Sequence, residues 1–330
     1  MTRAGCQNAG QWSFGRGMRV SVLIATYNYA DFLAEALDSA LTQTVPVDEI
    51  IVLDDGSTDG TPEILQEYAS RESRVRLLRT QNGGLSRARN RLMEAATGDV
   101  FSFLDADDRW WPEKWEVERG LLRAEPSVGA LFCNFRRFGA GQVYKHDQFH
   151  YYPELAHVNS RSARAGQGRV IEEDPFSQLL TFKEMPGWGN VMTFRRDAIK
   201  GLLFESSMQP SEDLHFCFRA YRRTAVGYLA APLVDVRRHG RNESGSLGRL
   251  HLSKLRALRD LRAESLTGVQ ARVLEQRLAG QVASALRYFG AAGDWRTYLN
   301  VLADARRHGL GRAEAGRHAV LLPVRLMRGG

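Results

Sequence analysis

From Met18 onward the apolar positions alternate between two periods. The run MRVSVLIATYN (Met18 to Asn28) is nearly continuous and rich in β-branched residues, as a strand covered on both faces requires. Directly after it, Phe32, Leu33, Ala36, Leu37, Ala40 and Leu41 recur at helical spacing behind Asp31, which predicts an amphipathic helix with Asp31 as N-cap. The change of period then repeats. DEIIVLDDGSTDG (Asp48 to Gly60) begins as an apolar strand, and TPEILQEYASR (Thr61 to Arg71) reads as a helix with Pro62 in its first turn. RVRLLRT (Arg74 to Thr80) is a third strand, LSRARNRLMEAATG (Leu85 to Gly98) a helix closed by Gly98, and DVFSFLDADD (Asp99 to Asp108) a fourth strand. Such alternation predicts an α/β domain with a doubly wound, mostly parallel central sheet flanked by helices.

Polar residues interrupt this pattern at one kind of place. Thr26, Asn28, Asp54, Asp55, Asp105 and Asp107 all fall where an apolar strand finishes. In an open parallel sheet those carboxyl ends share one edge, where ligands bind. Asp and Ser in DDGSTDG also suit a turn and a helix cap, the role expected of Ser57 and Asp59.

Composition limits what this edge can belong to. A chain of 330 residues with 43% apolar content can fill one large domain and a smaller one. Cys6, Cys133 and Cys217 lie far apart without paired spacing, which argues against a disulfide framework and a zinc site and fits a reducing cytoplasm. No apolar run reaches the roughly 18 residues of a membrane span. The net charge of +7 is concentrated in residues 251–330, where fourteen Arg and Lys face six Asp and Glu. No nucleic-acid module signature accompanies that basicity, so nucleic acid is not an expected partner.

Taken in order, ATYN after the first strand, DDGSTD after the second, NGGLSRARN (Asn82 to Asn90), LDADD after the fourth and SED (Ser211 to Asp213) resemble the motif series of the family 2 glycosyltransferases. That family has the GT-A fold, a Rossmann-like sheet between helices. The resemblance runs from about Val20 to about Ser246; Ala25 departs from it, since many relatives carry proline there, a difference in loop stiffness and not in chemistry. It implies a nucleotide-diphosphate sugar as donor, a UDP-sugar foremost, a divalent cation, Mn²⁺ or Mg²⁺, and inversion at the anomeric carbon. On the matching positions, Asp55 would hydrogen-bond the nucleotide base, with Thr26, Tyr27, Asn28 and Gly83 around it and Arg89 contributing from SRARN. A solvated helix face is the competing role for Arg87 and Arg89, and of the two it is Arg89 that is expected to make the contact.

Asp105, Ala106 and Asp107 form the DxD element of the resemblance. On an extended strand end residues i and i+2 point the same way, so the two carboxylates converge while Ala106 turns aside. Oxygen ligands select a hard cation. The family pattern makes Asp107 the direct ligand and Asp105 a ribose or outer contact. Asp108 suits instead a cap for the helix entered through Pro112.

For the acceptor side, the segment from Met208 to Leu229 reads as a turn into a helix with Asp213 in its first turn. The resemblance makes Asp213 the catalytic base and places Glu212 beside the acceptor, although a first-turn acid also suits the helix dipole. Arg237 and His239 share a face by the period of two. The family's Arg-x-His pair implies diphosphate contact for Arg237 and completion of the metal shell for His239. GRNESGSLG (Gly240 to Gly248) has the composition of a lid, and PGWGN brings Trp188 towards the same edge, to stack on an acceptor sugar or simply to pack.

The expected boundaries follow. Residues 1–17 lack a core pattern and are expected to be disordered, with Met18 a candidate start; 18–248 form the GT-A domain, with 18–135 the nucleotide-sugar half and 136–248 the acceptor half. Residues 249–330 form amphipathic helices. Their stripe of Leu252, Leu255, Leu258 and Leu261, with cations elsewhere, suits packing on the chain's own domain or peripheral contact with the inner face of a membrane. The expected acceptor is a glycan or lipid-linked hydroxyl in polysaccharide or cell-envelope glycan synthesis. The alternative is a catalytically inactive nucleotide-sugar or glycan-binding module of the same fold, which would need no Asp213.

Overall fold

The computed structural model describes residues 17–139, 142–182, 189–240 and 247–309. Strand β1 (Val20–Thr26) leads to helix α1 (Ala30–Leu41), β2 (Glu49–Asp54), α2 (Thr61–Arg71), β3 (Val75–Arg79), α3 (Leu85–Ala95) and β4 (Val100–Phe103), the alternation read from the sequence. Next come β5 (Arg109–Trp110), α4 (Lys114–Ala124), β6 (Val128–Gly139), β7 (Gln142–Val143), β8 (Arg161–Ser162) and β9 (Arg169–Ile171). They are followed by α5 (Pro175–Leu180), β10 (Met192–Arg195), α6 (Glu212–Tyr221) and β11 (Ala225–Arg237), then by α7 (Leu247–Asp260), α8 (Gly268–Ala291) and α9 (Trp295–Arg307). The chain divides into two compact units. One comprises Met1–Pro175, Pro186–Phe204 and Arg219–His239 and carries every strand among the described residues; the other comprises Phe176–Met185, Glu205–Phe218 and Gly240–Gly330. Residues 1–16, on which the expectation of N-terminal disorder falls, and the terminal segment Arg312 to Arg328 lie outside the described residues.

In the first unit β3, β2, β1 and β4 lie side by side and parallel. Antiparallel β10 joins β4 to β6, β11 runs parallel to β6, and β9 and β8 complete the row. β2 is buried at every position, as a strand with both sheet faces covered must be. α1 buries Leu33, Ala36, Leu37 and Ala40, and each fully buried leucine contributes about 1.5–3 kcal/mol. Cys133 and Cys217 are buried free thiols, and burial pushes the Cys133 thiol up to about 12.

Local details differ from the sequence expectations for steric reasons. Asp31 lies inside the first turn of α1, behind Tyr29 at the N-cap; it is Asp59 whose Oδ2 accepts from Ala30 N at 3.2 Å. Gly98 does not end α3, which closes at Ala95. A Cβ on Gly98 would stand 2.7 Å from Ser21 N, so close passage beside β1 is what requires glycine. Leu258 in α7 and Leu261 just beyond its end are buried but Leu252 is exposed, because a strict spacing of three drifts around the helix; the buried face of α7 takes in Ser253, Lys254 and Ala257 instead.

Two buried polar clusters hold the sheet. Lys114 and Glu118 on α4 are fully buried, with Nζ 2.7 Å from Glu118 Oε1, 3.1 Å from Ser102 Oγ and 4.1 Å from the Trp110 ring centre. Glu118 Oε2 accepts from Thr193 Oγ1 at 3.0 Å, and the Ser102 and Thr193 hydroxyls, in register across β4 and β10, are 2.7 Å apart. Every charge in the cluster therefore has a partner, which a buried ion pair needs if it is not to destabilise the fold. At the other end of the strands, Glu49 Oε1 accepts from Ser21 Oγ at 2.5 Å and from Gly98 N at 3.1 Å, while Oε2 meets Arg76 at 3.0 Å. Burial pushes the Glu49 carboxyl up, but hydrogen bonds from Ser21, Thr97 and Arg76 outweigh it and hold the group below its ordinary value.

Lys114→Met should cost about 3–5 kcal/mol in urea unfolding, because Glu118 is left buried alone, and adding Glu118→Leu should recover much of the loss. Equal losses in the single and double variants would contradict this. For Glu49 the depressed carboxyl contributes stability that is present above the ordinary glutamate range and is lost as pH falls through the folded value. The stability gap between wild type and Glu49→Gln should therefore narrow on acidification; a gap constant from neutral to acid pH would count against the clamp.

Candidate active site

The C-terminal ends of β1 and β2 are stitched together by side chains in the loops that follow. Thr26 pairs in register with Asp54, and Asp55 N donates to Thr26 O at 2.9 Å. Asn28, in the left-handed region at φ 59°, donates its N–H to Ser57 Oγ at 2.9 Å and accepts from Thr58 N at 2.8 Å through Oδ1. Asp54 is spent on structure: it accepts from Ser57 N at 2.8 Å and pairs with Arg79 at 3.3 Å.

Asp55 reaches the loop before α3. Its oxygens accept from Gly83 N at 3.0 Å, Gly84 N at 2.8 Å and Thr80 Oγ1 at 3.1 Å. The approach is possible because Gly56 takes φ +85° with no side chain, where a Cβ would stand 2.9 Å from Asn82 N. Thr26, Asn28, Asp55 and Gly83 are thus brought together, and the Tyr27 ring beside them is 43% exposed. The Thr26 hydroxyl is buried without a hydrogen-bond partner, which marks this rim as one whose polar groups are not all satisfied by the described protein.

The aspartate cluster forms by a different geometry from the one expected. β4 ends at Phe103, and residues 105–108 make a turn in which Asp108 N donates to Asp105 O at 3.1 Å. The turn, and not an extended strand, gathers the carboxylates, so it draws in a third. Asp105, Asp107 and Asp108 each offer an oxygen within 4.8 Å of the others, while Ala106 is buried. Asp108 does not cap a helix: α4 starts behind Glu113, and Asp108 Oδ1 accepts from Arg237 N at 2.7 Å.

Each carboxylate has a distinct counter-group. Arg89, which could have lain on a solvated helix face, is buried and donates to Asp105 Oδ1 at 3.1 Å, whereas Arg87 is exposed. A Cβ on Gly189 would stand 3.1 Å from that Arg89 guanidinium, so the end of PGWGN reaches the site; Trp188 itself lies outside the described residues, as do residues 241–246 of the expected lid. His239 Nε2 is 2.9 Å from Asp107 Oδ2, and its ring stacks on Phe32 at 4.7 Å between centres. Arg237 donates through Nε to Asp107 O at 2.9 Å and through its fork to Glu35. Glu35 also holds Arg109 at 2.6 Å, and Arg109 pairs with Asp235 at 2.9 Å.

Burial and the neighbouring Asp105 charge push the Asp107 carboxyl above the ordinary carboxylate range, with His239 pulling the other way. Like charges this close are stabilised by a cation: an opposite unit charge at 4 Å is worth about 4 kcal/mol at an effective dielectric of 20. Three carboxylates with oxygens in mutual reach fit a hard divalent ion, so the donor set suits Mn²⁺ or Mg²⁺.

Asp213 and Glu212 occupy the first turn of α6 in the second unit. Asp213 is half-buried, with Oδ1 accepting from Leu214 N at 2.7 Å, and Glu212 is buried. Glu35 was not singled out from the sequence. It lies among the apolar positions of α1, and nothing in a helical period distinguishes a glutamate that grips two arginines from one that faces water.

Comparison with known proteins agrees with this geometry. Residues 21–227 match the family described as Glycosyl transferase family 2. The uncharacterised glycosyltransferase EpsJ of Bacillus subtilis (strain 168) is 44% identical over 206 residues, covering 62% of this chain and 56% of EpsJ. The chain spans between 33% and 61% of the length of the first curated relatives it matches. S. aureus TarS 1-349, solved with UDP-GlcNAc, superposes with a TM-score of 0.62 at 17% identity, covering 89% of this chain and 93% of that one. The mannosyltransferase PcManGT from Pyrobaculum calidifontis, solved with GDP-Man and Mn²⁺, gives 0.54 at 20% identity over 93% and 87% of the two chains. At these identities the likeness establishes the architecture, while the sequence match extends over most of the chain that carries the site. The chain has the GT-A fold and belongs to glycosyl transferase family 2.

Proposed function

We propose that this chain is a metal-dependent, inverting glycosyltransferase that moves a sugar from a nucleotide-diphosphate sugar, foremost a UDP-sugar, to a hydroxyl of a glycan or lipid-linked acceptor. The observation that carries the reading is the turn of Asp105, Asp107 and Asp108, a ready cation site at the carboxyl edge of the sheet. Support comes from fold neighbours solved with UDP-GlcNAc and with GDP-Man and Mn²⁺.

In this reading Asp55, held by Gly83 and Gly84, faces the nucleotide base, with Thr26, Tyr27 and Asn28 around it. Asp105 and Asp107 would hold a divalent ion, with His239 completing its shell, while Arg89 steadies Asp105 and Arg237 contacts the diphosphate. Such an ion would supply positive charge to offset that of the departing nucleoside diphosphate. Asp213 takes the proton from the acceptor hydroxyl as its oxygen bonds to the anomeric carbon; the bond to the diphosphate oxygen breaks, and its electron pair leaves with the nucleotide. Glu212 and Trp188 belong to the acceptor side. The transferase domain is 18–248, with 249–330 a helical appendage. Peripheral contact of α7–α9 with an anionic membrane completes the reading, supported by exposed Leu247, Leu252, Val269 and Leu299.

The test is a panel of nucleotide sugars with Mn²⁺ or Mg²⁺, read by donor binding and by product formation. Asp107→Asn, or removal of metal with EDTA, should weaken donor binding tenfold or more. Asp213→Asn should leave donor binding within about twofold and slow transfer by about 10²–10⁴. Unchanged transfer by Asp213→Asn would remove it as the base, and donor binding with no transfer by wild type would favour the inactive binding module. Vesicles of anionic phospholipid should pull down the full chain at low salt and release it at high salt; no pull-down at low salt would remove the membrane contact.

A further inference from the structure

Asp213 stands in the least secured part of its helix. The first amides of α6 have no partner further back along the helix, so the direction of that turn depends on what holds it from outside. Ser211 and His215 are one turn apart, with His215 N donating to Ser211 O at 3.1 Å, and so lie on one face. Asp213, midway between them at about 100° per residue, is directed to the other. Both flanking side chains are held by α7. The Ser211 and Ser253 hydroxyls are 2.8 Å apart, and His215 Nε2 is 2.9 Å from Asp260 Oδ2. Arg256, on the same stripe of α7, donates to Ser207 O in the approach to α6.

Burial makes these contacts decisive. Ser211 is 2%, Ser253 3% and His215 1% exposed, whereas Asp213 is half-buried. A buried hydroxyl or imidazole destabilises the fold unless it is hydrogen-bonded, so rotating the first turn of α6 would forfeit both pairings at once. A carboxylate only accepts, which makes His215 Nε2–H the donor to Asp260. Behind this contact α7 is itself anchored: Arg259 pairs with Asp304 of α9, and Gln281 of α8 donates to His251 O at 3.4 Å. Support therefore runs from the C-terminal helices through α7 to the turn that carries Asp213.

We propose that Ser253 and Asp260 are positioning residues of the transfer reaction: through Ser211 and His215 they fix the rotation of the first turn of α6, and with it the direction of the Asp213 carboxylate. The consequence for catalysis rests on the reading of Asp213 as the base; the clamp itself does not. A general base must lie within hydrogen-bond reach of the proton it takes, and a displacement of about 1 Å can cost about 10²-fold in rate. In this way α7 acts on acceptor activation, a task separate from any membrane contact of its exposed leucines.

The experiment measures nucleoside diphosphate released by the full chain from UDP-GlcNAc, UDP-glucose and GDP-mannose with Mn²⁺, with octyl glycosides as acceptors. Donor binding is followed by calorimetry, and amide exchange by mass spectrometry. Asp260→Ala, at a carboxylate half exposed to solvent, should slow release by about tenfold to a hundredfold with donor affinity within about twofold, and Ser253→Ala should act in the same direction. Asp260→Asn, which keeps an oxygen to accept from His215, should recover most of the rate. Added to Asp213→Asn, Asp260→Ala should slow release no further, because a residue that acts through the base has no effect once the base is gone. Amides around His215 should exchange several-fold faster in Asp260→Ala. Release that is slowed by Asp213→Asn but untouched by Asp260→Ala, or slowed equally by Asp260→Ala with and without Asp213, overturns the inference and leaves the transferase reading standing. No release by wild type from any donor removes that reading and the catalytic role with it, and exchange unchanged by Asp260→Ala overturns the clamp.

Discussion

The concentration of negative charge at one sheet edge is the constraint on which the site depends. Asp54, Asp55, Asp105, Asp107 and Asp108 all emerge from the carboxyl ends of β2 and β4, strands that flank β1 on either side. Such an arrangement folds only if each carboxylate meets a donor, and the donors differ in kind. Asp54 has Arg79 and a backbone amide, Asp55 has the amides of a glycine pair, Asp105 has the buried Arg89, Asp108 has the amide of Arg237, and Asp107 has His239. Asp105 and Asp107 are matched by side chains, where Asp55 and Asp108 are held by backbone amides.

Beneath that edge the strand that delivers the turn is fixed from both sides. The Lys114, Glu118, Ser102 and Thr193 cluster ties β4 to α4 and β10 just before the chain reverses at Asp105. Glu35 does the same from α1: it grips Arg109 and Arg237, and Arg237 in turn holds the carbonyl of Asp107 and the carboxylate of Asp108. A carboxylate cluster made by a four-residue turn would otherwise be loose, since a turn has few backbone hydrogen bonds of its own.

The strand pair β6–β11 reaches the aspartate turn from the far side of the sheet. Its alternation sends Arg237 and His239 to the turn and sets Arg137 and Arg238 on the opposite face. Adjacent arginines of this kind look redundant in a linear reading. The period of two separates them.

The sequence by itself determined the alternation of β1 through β4 with α1 to α3, because a change of period from two-sided burial to helical spacing is a local property of the chain. It determined too which carboxylates stand at the strand ends, and the ordered motifs were enough for the family. What it could not determine was direction and partnership. Asp108 read as a helix cap because the residue that claims it, Arg237, lies more than a hundred positions away; Arg89 read as a site contact but without its partner Asp105; Glu35 gave no signal at all. The turn at 105–108 likewise replaced an extended strand end, and with it the number of converging carboxylates changed from a pair to a trio. Charge pairing acts over a few ångströms of space without regard to sequence separation, so only the tertiary structure decided which acid each base would hold.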